Sequence, residues 1–528
     1  MGEPRAIVCT RFMGGDTETS PLALGEHLLK TGEVWFPSVG NFYSPDGTVL
    51  IKRPGVTAAV MTGFAITPPV YDLARLKLVS TTAQGNDVLA ALFQVTGVPF
   101  VGTVIPSTWV CSTAGGWSTA DTDRRMRLVV AGNSAAILPL VTASSTEPYL
   151  SPASPGTYYI TSMANPMPLN DDGSYAAAAI AAWHKAFMIR AGNPHARNPN
   201  RVVMSDFNQP IAPYPPLNNL NVAEEGQYGV IGMLSTGDIL YMGKSGCIVN
   251  MTGSSMGNFR VRATSLQYGI AGIRGADKIG PEAAVAFLTE RKGPLGATVE
   301  VPNPRNIGLL VGGELQVIGD RILTYIRVGS DATIDTQVQN WTALQGVAMM
   351  PQRTLTAAAK RILLFTPKTG GFWPWTLASA VAPTCLREAG GTMYIGTAAG
   401  SGLMYFDDTT DYDTGANRIG GTLDFPVIPT IEDAVIDRVT VVCSQTTAGV
   451  NWSVSLLRKD TGAYDIGNAK TFTPTAVKDA YSVSFTGGTG VRASRQNSIR
   501  IQAPVSASAS VGCKIYKVII WLKSGLGK

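Results

Sequence analysis

Short apolar runs that alternate with polar positions recur along most of the chain, and a glycine usually ends each run. The clearest case is Asp238–Met242, which stops at Gly243 and is followed by the apolar run Gly246–Val249. Thr392–Ile395 and Leu403–Phe406 repeat the arrangement, again with glycines around the turn. A period of two is typical of half-buried strands, and a glycine-bracketed turn joins such strands into a hairpin. Both stretches are therefore predicted to be β-hairpins.

Looser versions of the same unit occur over about 300 residues, without a strict repeat length. They fall at Val88–Val95, Phe187–Ile189 with Arg201–Ser205, Ala283–Thr289, and Arg361–Phe365 with Phe372–Leu377. Degenerate hairpins in such number favour a β-propeller, in which blades of antiparallel strands are arranged radially and leave only short edges exposed.

The stretch Tyr175–Ile189 departs from the pattern because it is rich in alanine. Ser174 and Gly192 suit the two caps of a helix, and alanine has the highest helix propensity. The alternative is a linker that leads into a strand at Phe187. The sequence does not separate the two interpretations.

The last hundred residues form a different pattern, with five alternating apolar segments and turn signals between them. These segments are Arg438–Val442, Trp452–Leu456, Tyr481–Phe485, Ser498–Gln502 and Lys514–Leu522. Five such strands predict an antiparallel β-sandwich.

The predicted fold is therefore all-β and has three parts. An N-terminal segment, 1–60, packs on the propeller or on a platform. The propeller follows over 61–430, with an insertion around 99–127. A C-terminal β-domain occupies 431–528.

Composition supports a folded chain. Of the 528 residues, 45% are hydrophobic and 15% are charged, against an average charged share of about 25%. Disordered chains are charged and poorly apolar, so disorder is not expected. The six cysteines include no Cys-x-x-Cys pair, which excludes a zinc ribbon and favours free buried thiols in a reducing cytoplasm. No secretory signal or membrane span is visible.

Charge is distributed unevenly. From Tyr481 onward the chain has seven basic residues and no acidic one, which leaves 35 basic and 37 acidic residues in the remainder. The seven are Arg492, Arg495, Arg500, Lys514, Lys517, Lys523 and Lys528. Positive charges without a counter-charge repel one another, so this face is expected to meet an acidic protein or DNA phosphate. The alternative is that the charges only keep the outer face of a sheet soluble.

Candidate catalytic chemistry is sparse. The histidines His27, His184 and His195 belong to no recognisable motif, and no Gly-x-Ser-x-Gly elbow is present. They are interpreted as structural or surface residues. Carboxylate pairs for glycoside cleavage need to be close only in space, and no local signature indicates them.

Two short motifs resemble ligand-binding sequences, but neither has the residue spacing that such a site requires. Gly243–Ser245 resembles the end of a phosphate loop, but Asp238 stands where that motif needs a glycine, and the string lies between two predicted strands. The acidic run Asp407–Asp413, with Gly415, offers oxygens to calcium but departs from the EF-hand spacing. Both are interpreted as turns, so no catalytic, cofactor or metal residue is predicted.

With the segments in place, the chain resembles the tail hub or nozzle proteins of short-tailed bacteriophages, also called packaged-DNA stabilisation proteins. The likeness spans most of the chain in order. It is carried by Asn41, Asp46–Gly47 and Lys52–Gly55; by Ala191–Gly192 and Asn200–Asp206; by the Gly237–Gly246 hairpin; and by Met393–Gly396, Tyr405–Asp408 and Asp413–Gly415. Arg53-Pro54-Gly55 is the most distinctive of these motifs.

The resemblance implies a non-enzymatic virion protein, made in the bacterial host cytoplasm and assembled into the tail. Such proteins form a ring, usually of six copies, below the adaptor ring of the head-to-tail connector. The lumen conducts genomic DNA without reading its sequence, loops gate the exit, and the outside carries fibres, spikes or a needle. The alternative function is a propeller that binds or degrades surface glycans, which would need a pocket with convergent carboxylates or a tyrosine nucleophile.

Overall fold

The computed structural model is nearly all β, and it describes most of the chain. The described residues are 5–59, 70–77, 87–95, 98–105, 108–113, 127–131, 134–138, 146–154, 157–164, 180–191, 200–209, 215, 217–222, 229–244, 246–272, 274–290, 304–326, 336–351, 361–378, 381, 383–397, 402–410, 412–413, 417–429, 434–445, 451–457, 463–466, 468–485, 496–503 and 513–524. No helix among them is long and apolar enough to cross a membrane.

The N-terminal part contributes seven short strands and one helix. They are β1 (Arg5–Cys9), β2 (Arg11–Gly15), α1 (Pro21–Thr31), β3 (Glu33–Phe36), β4 (Ser38–Gly40), β5 (Phe42–Tyr43), β6 (Leu50–Lys52) and β7 (Gly55–Ala58). Helix α1 begins at the N-cap Ser20, whose hydroxyl accepts from the Ala23 amide, and it ends at Gly32 in the left-handed conformation.

The middle of the chain builds seven antiparallel sheets. Blade 1 contains β8 (Val70–Lys77), β9 (Asp87–Val95), β10 (Val98–Ile105) and β11 (Thr108–Thr113); blade 2 contains β12 (Arg127–Ala131), β13 (Ser134–Leu138), β14 (Thr146–Ser154) and β15 (Thr157–Ala164). Blade 3 contains β16 (Ile180–His184), β17 (Phe187–Ala191), β18 (Arg201–Met204) and β19 (Asn219–Asn221); blade 4 contains β20 (Gly232–Thr236), β21 (Ile239–Gly243), β22 (Ile248–Thr252) and β23 (Arg260–Ser265); blade 5 contains β24 (Tyr268–Ile270), β25 (Ala276–Lys278), β26 (Ala283–Glu290), β27 (Asn306–Val311) and β28 (Glu314–Val317). Blade 6 contains β29 (Gln337–Trp341), β30 (Gly346–Met350), β31 (Arg361–Thr366) and β32 (Gly371–Thr376); blade 7 contains β33 (Pro383–Ala389), β34 (Thr392–Thr397), β35 (Leu403–Asp407), β36 (Tyr412–Asp413) and β37 (Asn417–Arg418). A short helix α2 (Leu323–Ile326) and two 3-10 turns (Asp320–Ile322, Thr342–Leu344) lie between blades 5 and 6 and within blade 6.

These seven sheets form a closed ring. The inner strands contact one another in the order β8, β12, β16, β20, β25, β29, β33 and back to β8. The chain is therefore a β-propeller with seven blades in its described part. Blade 7 is closed by the N-terminal strand β7, which runs antiparallel to β35 with Gly55 opposite Asp407.

The predicted hairpins occupy equivalent places in this ring. Strands β21 and β22 are the second and third strands of blade 4, and β34 and β35 are the second and third strands of blade 7. The all-β propeller with a C-terminal sandwich is thus confirmed, and the likeness of the two hairpins reflects their common position in a blade.

Two sequence interpretations change within the propeller. Ile180–His184 and Phe187–Ala191 are strands, so a helix over 180–189 is wrong; 175–179 lie outside the described residues. The pairing of β16 with β17 and the burial of both strands outweigh alanine's helix propensity. In the predicted insertion around 99–127, 98–105 and 108–113 form β10 and β11, the outer strands of blade 1; 106–107 and 114–126 lie outside the described residues.

The C-terminal part forms a sandwich of two sheets. Its strands are β38 (Gly421–Asp424), β39 (Ile428–Pro429), β40 (Ala434–Ser444), β41 (Trp452–Leu456), β42 (Lys470–Phe472), β43 (Asp479–Ser484), β44 (Gln496–Asn497), β45 (Ile499–Ala503) and β46 (Lys514–Ser524). All five predicted strand segments of this part are present.

The N-terminal strands complete both sheets of the sandwich. One sheet has the order β43-β40-β46-β6-β5, with β1 also paired to β46, and the other has the order β4-β38-β45-β41-β42. The predicted N-terminal segment, 1–60, therefore supplies strands to both the propeller and the sandwich. A single apolar core joins the two, since Trp375 and Phe406 of the last blades belong to the same buried cluster as Trp452 and Ile520.

Candidate functional site

The most distinctive sequence motif lies at the joint between propeller and sandwich. Asn41, Arg53, Thr376 and Asp413, here named the closure cluster, come from positions up to 372 residues apart and meet in one buried place. Asn41 lies between β4 and β5, Arg53 lies between β6 and β7, Thr376 ends β32, and Asp413 ends β36.

The Arg53 guanidinium uses all of its donors in this cluster. Nε donates to Oδ1 of Asn41 at 2.9 Å, and Nη1 and Nη2 donate to the two Asp413 carboxylate oxygens at 2.9 and 2.6 Å. The remaining two donors meet the carbonyl oxygens of Pro54 and Thr376 at 2.9 and 2.7 Å. A guanidinium has five N–H groups, so its hydrogen-bonding capacity is fully spent.

Asn41 is held in the backbone conformation that this geometry needs. Its φ is 62°, in the left-handed region that asparagine tolerates better than most residues. Its side-chain Oδ1 also accepts from the Thr376 amide, and its Nδ2 donates to the Gly420 carbonyl. Because Arg53 and Asp413 side chains are 1% and 2% exposed, the cluster is a structural joint with no free polar group on Arg53 for a ligand.

The neighbouring Gly55 has a different role from the one expected for a turn glycine. It opens strand β7 and has no positive φ. Because its φ is not positive, a side chain at this position would not meet the backbone strain of the left-handed region, and the contacts that make this motif structural are those of Arg53.

The remaining sequence candidates lie apart from one another. His27 is on α1, where its Nε2 lies 3.2 Å from Oε2 of Glu33, which also pairs with Arg11. His184 ends the inner strand of blade 3, and His195 lies outside the described residues. The structure does not bring His27 and His184 together.

His184 is buried and its Nδ1 lies 2.9 Å from the Ser235 hydroxyl in the next blade. Burial, together with the nearby Lys185 ammonium, lowers the pKa of His184 to about 4. The imidazole is therefore neutral near pH 7 and links two inner strands.

The two ligand-like motifs are turns in the described residues. Lys244 follows β21, and its buried Nζ donates to the Val222 carbonyl at 2.6 Å; Ser245 lies outside the described part. In the acidic run, Asp407 accepts from the Thr409 amide and hydroxyl, while Asp413 pairs with Arg53. No group of three His, Cys, Asp or Glu side chains suited to a metal occurs among the described residues.

Polar side chains connect the inner strands of blades 6 and 7 through hydrogen bonds. Nε2 of Gln337 donates to the Leu386 carbonyl at 2.6 Å, and the Leu386 amide donates back to Oε1 of Gln337 at 2.9 Å. Nη1 of Arg387 donates to Oε1 of Gln339, whose Nε2 donates to Asp277 in blade 5, both at 2.9 Å. Burial outweighs the Arg387 charge and raises the pKa of Asp277.

One ion pair reaches across the propeller axis. Arg274, just before β25 of blade 5, pairs with Asp72 on β8 of blade 1, and the inner strands of blades 6 and 7 lie between their blades in the ring. The Asp72 side chain is fully buried. The axis of a single propeller is therefore crossed by side chains at this level.

Sequence reasoning missed a partly exposed surface on the sandwich. On the sheet that contains β1, β40 and β46, one face packs into the core and the other points outward. We name as the basic face the outward side chains Val8, Arg438, Val442, Lys517, Ile519 and Trp521. The alternation in these strands was visible in the sequence, but their neighbours across the sheet were not.

The basic face combines apolar surface with positive charge. The Arg438 guanidinium lies 4.6 Å from the centre of the Trp521 ring, and the indole donates to the Thr440 hydroxyl at 3.2 Å. Val8 is 41% exposed. Neither Arg438 nor Lys517 has a carboxylate partner within the described part of the chain.

The expected basic C-terminal charge is thus partly neutralised. Arg500 forms a two-pronged pair with Asp424 on the neighbouring strand, at 2.5 and 2.7 Å, and stacks on Tyr464. The expectation that no counter-charge exists is wrong for Arg500, because its partner precedes the basic stretch in the chain. Arg492, Arg495 and Lys528 lie outside the described residues.

Comparison with known proteins identifies no family. No family model matches the chain, and no curated protein matches it. Among solved structures it is similar to an exo-β-1,3-galactanase from Phanerochaete chrysosporium, at 9% identity over 89% of this chain and 100% of that one, with a TM-score of 0.26.

Two further similar structures are described as YCF48 bound to D1 peptide and the N-terminal domain of Nup159. The first is 9% identical over 69% of this chain and 95% of that one, with a TM-score of 0.36. The second is 10% identical over 70% and 98%, with a TM-score of 0.34. Likenesses this weak carry no argument about function, and the class of protein stated here, a seven-bladed β-propeller with a β-sandwich, rests on the strand pairing.

Proposed function

We propose that the chain is a structural protein of a short-tailed bacteriophage, the hub or nozzle at the distal end of the tail. Copies of it form a closed ring, with six copies expected, bound to the adaptor ring above and to fibres, spikes or a needle outside. The ring conducts the genome and acts through shape and interfaces.

The closure cluster is the observation that carries this proposal. Two separate motifs of the resemblance, the opening motif with Asn41 and Arg53 and the last-blade motif with Asp413, contribute side chains to one hydrogen-bonded cluster. Motifs that matched by chance would have no reason to meet in space. Their convergence supports the view that the resemblance reflects a shared architecture.

The proposed path of DNA avoids the propeller axis. Since Arg274 and Asp72 pair across the propeller axis, the proposed channel runs between copies at the centre of the ring. A strongly basic channel wall would hold phosphate and slow genome exit. We therefore place the basic face of the sandwich against protein and away from the lumen.

The test is electron microscopy of phage particles labelled with an antibody raised against the purified chain. Label at the distal tip of the tail is the expected result. Absence of the chain from purified particles would overturn the proposal. Hydrolysis of a surface glycan by the purified chain, lost in a variant with one carboxylate replaced, would favour the glycan-degrading alternative.

A further inference from the structure

Helix α1 is apolar on two sides. Leu24 and Leu28 are buried on the side that packs against β3 and β39. On the outward side, Leu22 and Leu29 are 45% and 48% exposed. A surface helix normally has one apolar stripe, and a helix that is apolar on both sides is normally covered on both.

A carboxylate lies between the two exposed leucines. Leu22, Glu26 and Leu29 are spaced by four and three residues, so they form one line along the helix. Glu26 is exposed and has no ion-pair partner among the described residues. The other charged side chain on this outward surface is Lys30, at the last turn. Along about 10 Å of the helix axis, at 1.5 Å per residue, this line thus consists of an apolar, an acidic and an apolar side chain.

The basic face presents a positive charge followed by apolar side chains along β46, in the order Lys517, Ile519, Trp521. Val8 lies opposite Ile519 in the strand register, with Lys517 and Trp521 on either side along β46. Successive outward residues on a strand are about 7 Å apart. A cation thus lies beside an apolar patch at nearly the spacing of the helix line, and the next outward residue along β46, Lys523, is also basic and is exposed.

We infer that the outward line of α1 in one copy docks on the basic face of the next copy. The contact is head-to-tail, since two different surfaces meet, and repeated contacts of this kind close into a ring when the rotation permits. This inference rests on the proposed function and names the contact that builds the ring. Glu26 then meets Lys517, while Leu22 and Leu29 cover Val8, Ile519 and Trp521.

Other occupants fit the basic face less well. Two basic faces brought together would repel, which disfavours a symmetric dimer through this surface. A DNA backbone would satisfy Lys517 and Arg438, but its phosphates would leave Val8 and Ile519 without an apolar partner. Tryptophan and arginine are the residues that most often dominate protein–protein contacts, and Trp521 and Arg438 are stacked here.

Cross-linking of two single-cysteine variants tests the contact directly. Leu22→Cys in a tagged chain is mixed with Val8→Cys in an untagged chain, and a short bis-maleimide is added. The five described native cysteines are buried, and the wild-type chain serves as the background control. The inference predicts a tagged–untagged cross-link in the mixture and none in either variant alone. Equal cross-linking of the single variants, or none in the mixture, would overturn it.

Charge exchange provides the second test. Glu26→Lys and Lys517→Glu should each weaken self-association at least tenfold in sedimentation, and the double variant should regain most of it. The matched control is Glu282→Lys, an exposed glutamate in the propeller, which should have no effect. Rings that form equally well in all variants would overturn this contact and leave the proposed function standing. A wild-type chain that stays monomeric at every concentration would overturn both.

Discussion

The closure cluster and the basic face use charged side chains in opposite ways. In the cluster, Arg53 is buried and all five of its donors are bonded within the chain. On the basic face, Lys517 and Arg438 have no carboxylate partner in the described residues, and Val8 beside them is exposed. The Arg53 donors are all bonded within the chain, whereas the charges of the basic face remain available to a partner.

This difference separates stability from assembly. A buried charge with every partner in place fixes the fold, and removing one partner leaves the other charge uncompensated. An exposed charge contributes little to folding, but it directs the encounter with a partner. Substitutions in the cluster should therefore change the free energy of unfolding, and substitutions on the basic face should change association.

The largest effect is expected from Arg53→Met. It leaves Asp413 buried without its cation, which should lower the free energy of unfolding by about 3–5 kcal/mol. The control is Arg11→Met, since Arg11 pairs with Glu33 but its side chain is 62% exposed, and it should cost less than about 1 kcal/mol. Urea unfolding measures both, and equal small losses would show that the cluster is incidental.

A pH effect of similar size is expected from His184. Its pKa is about 4 in the folded chain against 6.5 for the free side chain, so between these values the unfolded state binds a proton that the folded state does not. The free energy of unfolding should therefore fall as pH drops from 6.5 to about 4, by on the order of 3 kcal/mol. His184→Gln should remove this slope in urea titrations at each pH, and parallel curves for the two proteins would contradict it.

An intermediate effect is expected from Arg500→Glu. This places a carboxylate against Asp424 in a partly buried cross-strand pair, and it should cost about 2 kcal/mol. Arg500 is thus unsuited to a charge-reversal test of the C-terminal face, because its reversal would lower the stability of the sheet as well as alter a contact. Unchanged thermal unfolding would show that the pair is weak and the residue available to a partner.

The smallest effect on stability is expected from Lys517→Glu. Lys517 is half-buried and has no carboxylate partner among the described residues, so the substitution should change the free energy of unfolding by less than about 1 kcal/mol, although it should weaken self-association. Urea unfolding and sedimentation of the same preparation separate the two quantities. A large loss of stability would place Lys517 in the same group as Arg53 and remove the contrast between the regions.

Strand-level structure could be predicted where the chain alternates and glycine marks the turns, as in the hairpins at Ile239–Thr252 and Thr392–Asp407. Helix α1 was missed although Ser20, Pro21 and Gly32 are ordinary cap signals. Its leucines follow no single 3.6-residue stripe, because the helix is apolar on two sides. The number of blades depends on contacts between inner strands, which no local pattern contains.

The closure cluster and the basic face were harder to predict than the fold. Arg53-Pro54-Gly55 stood out because its residue types are distinctive, yet its role required Asp413, which lies 360 residues away. The counter-charge of Arg500 was hidden in the same way, since Asp424 precedes the basic stretch. Val8 and Ile519 become neighbours only when β1 pairs with β46, so the basic face has no sequence motif.

The most direct test of the account is single-particle electron microscopy of the purified full-length chain, with sedimentation velocity on the same sample. The account predicts closed rings, with six copies expected, in which every copy presents α1 to the sandwich of the next. Only monomers or two-fold dimers at all concentrations would contradict it.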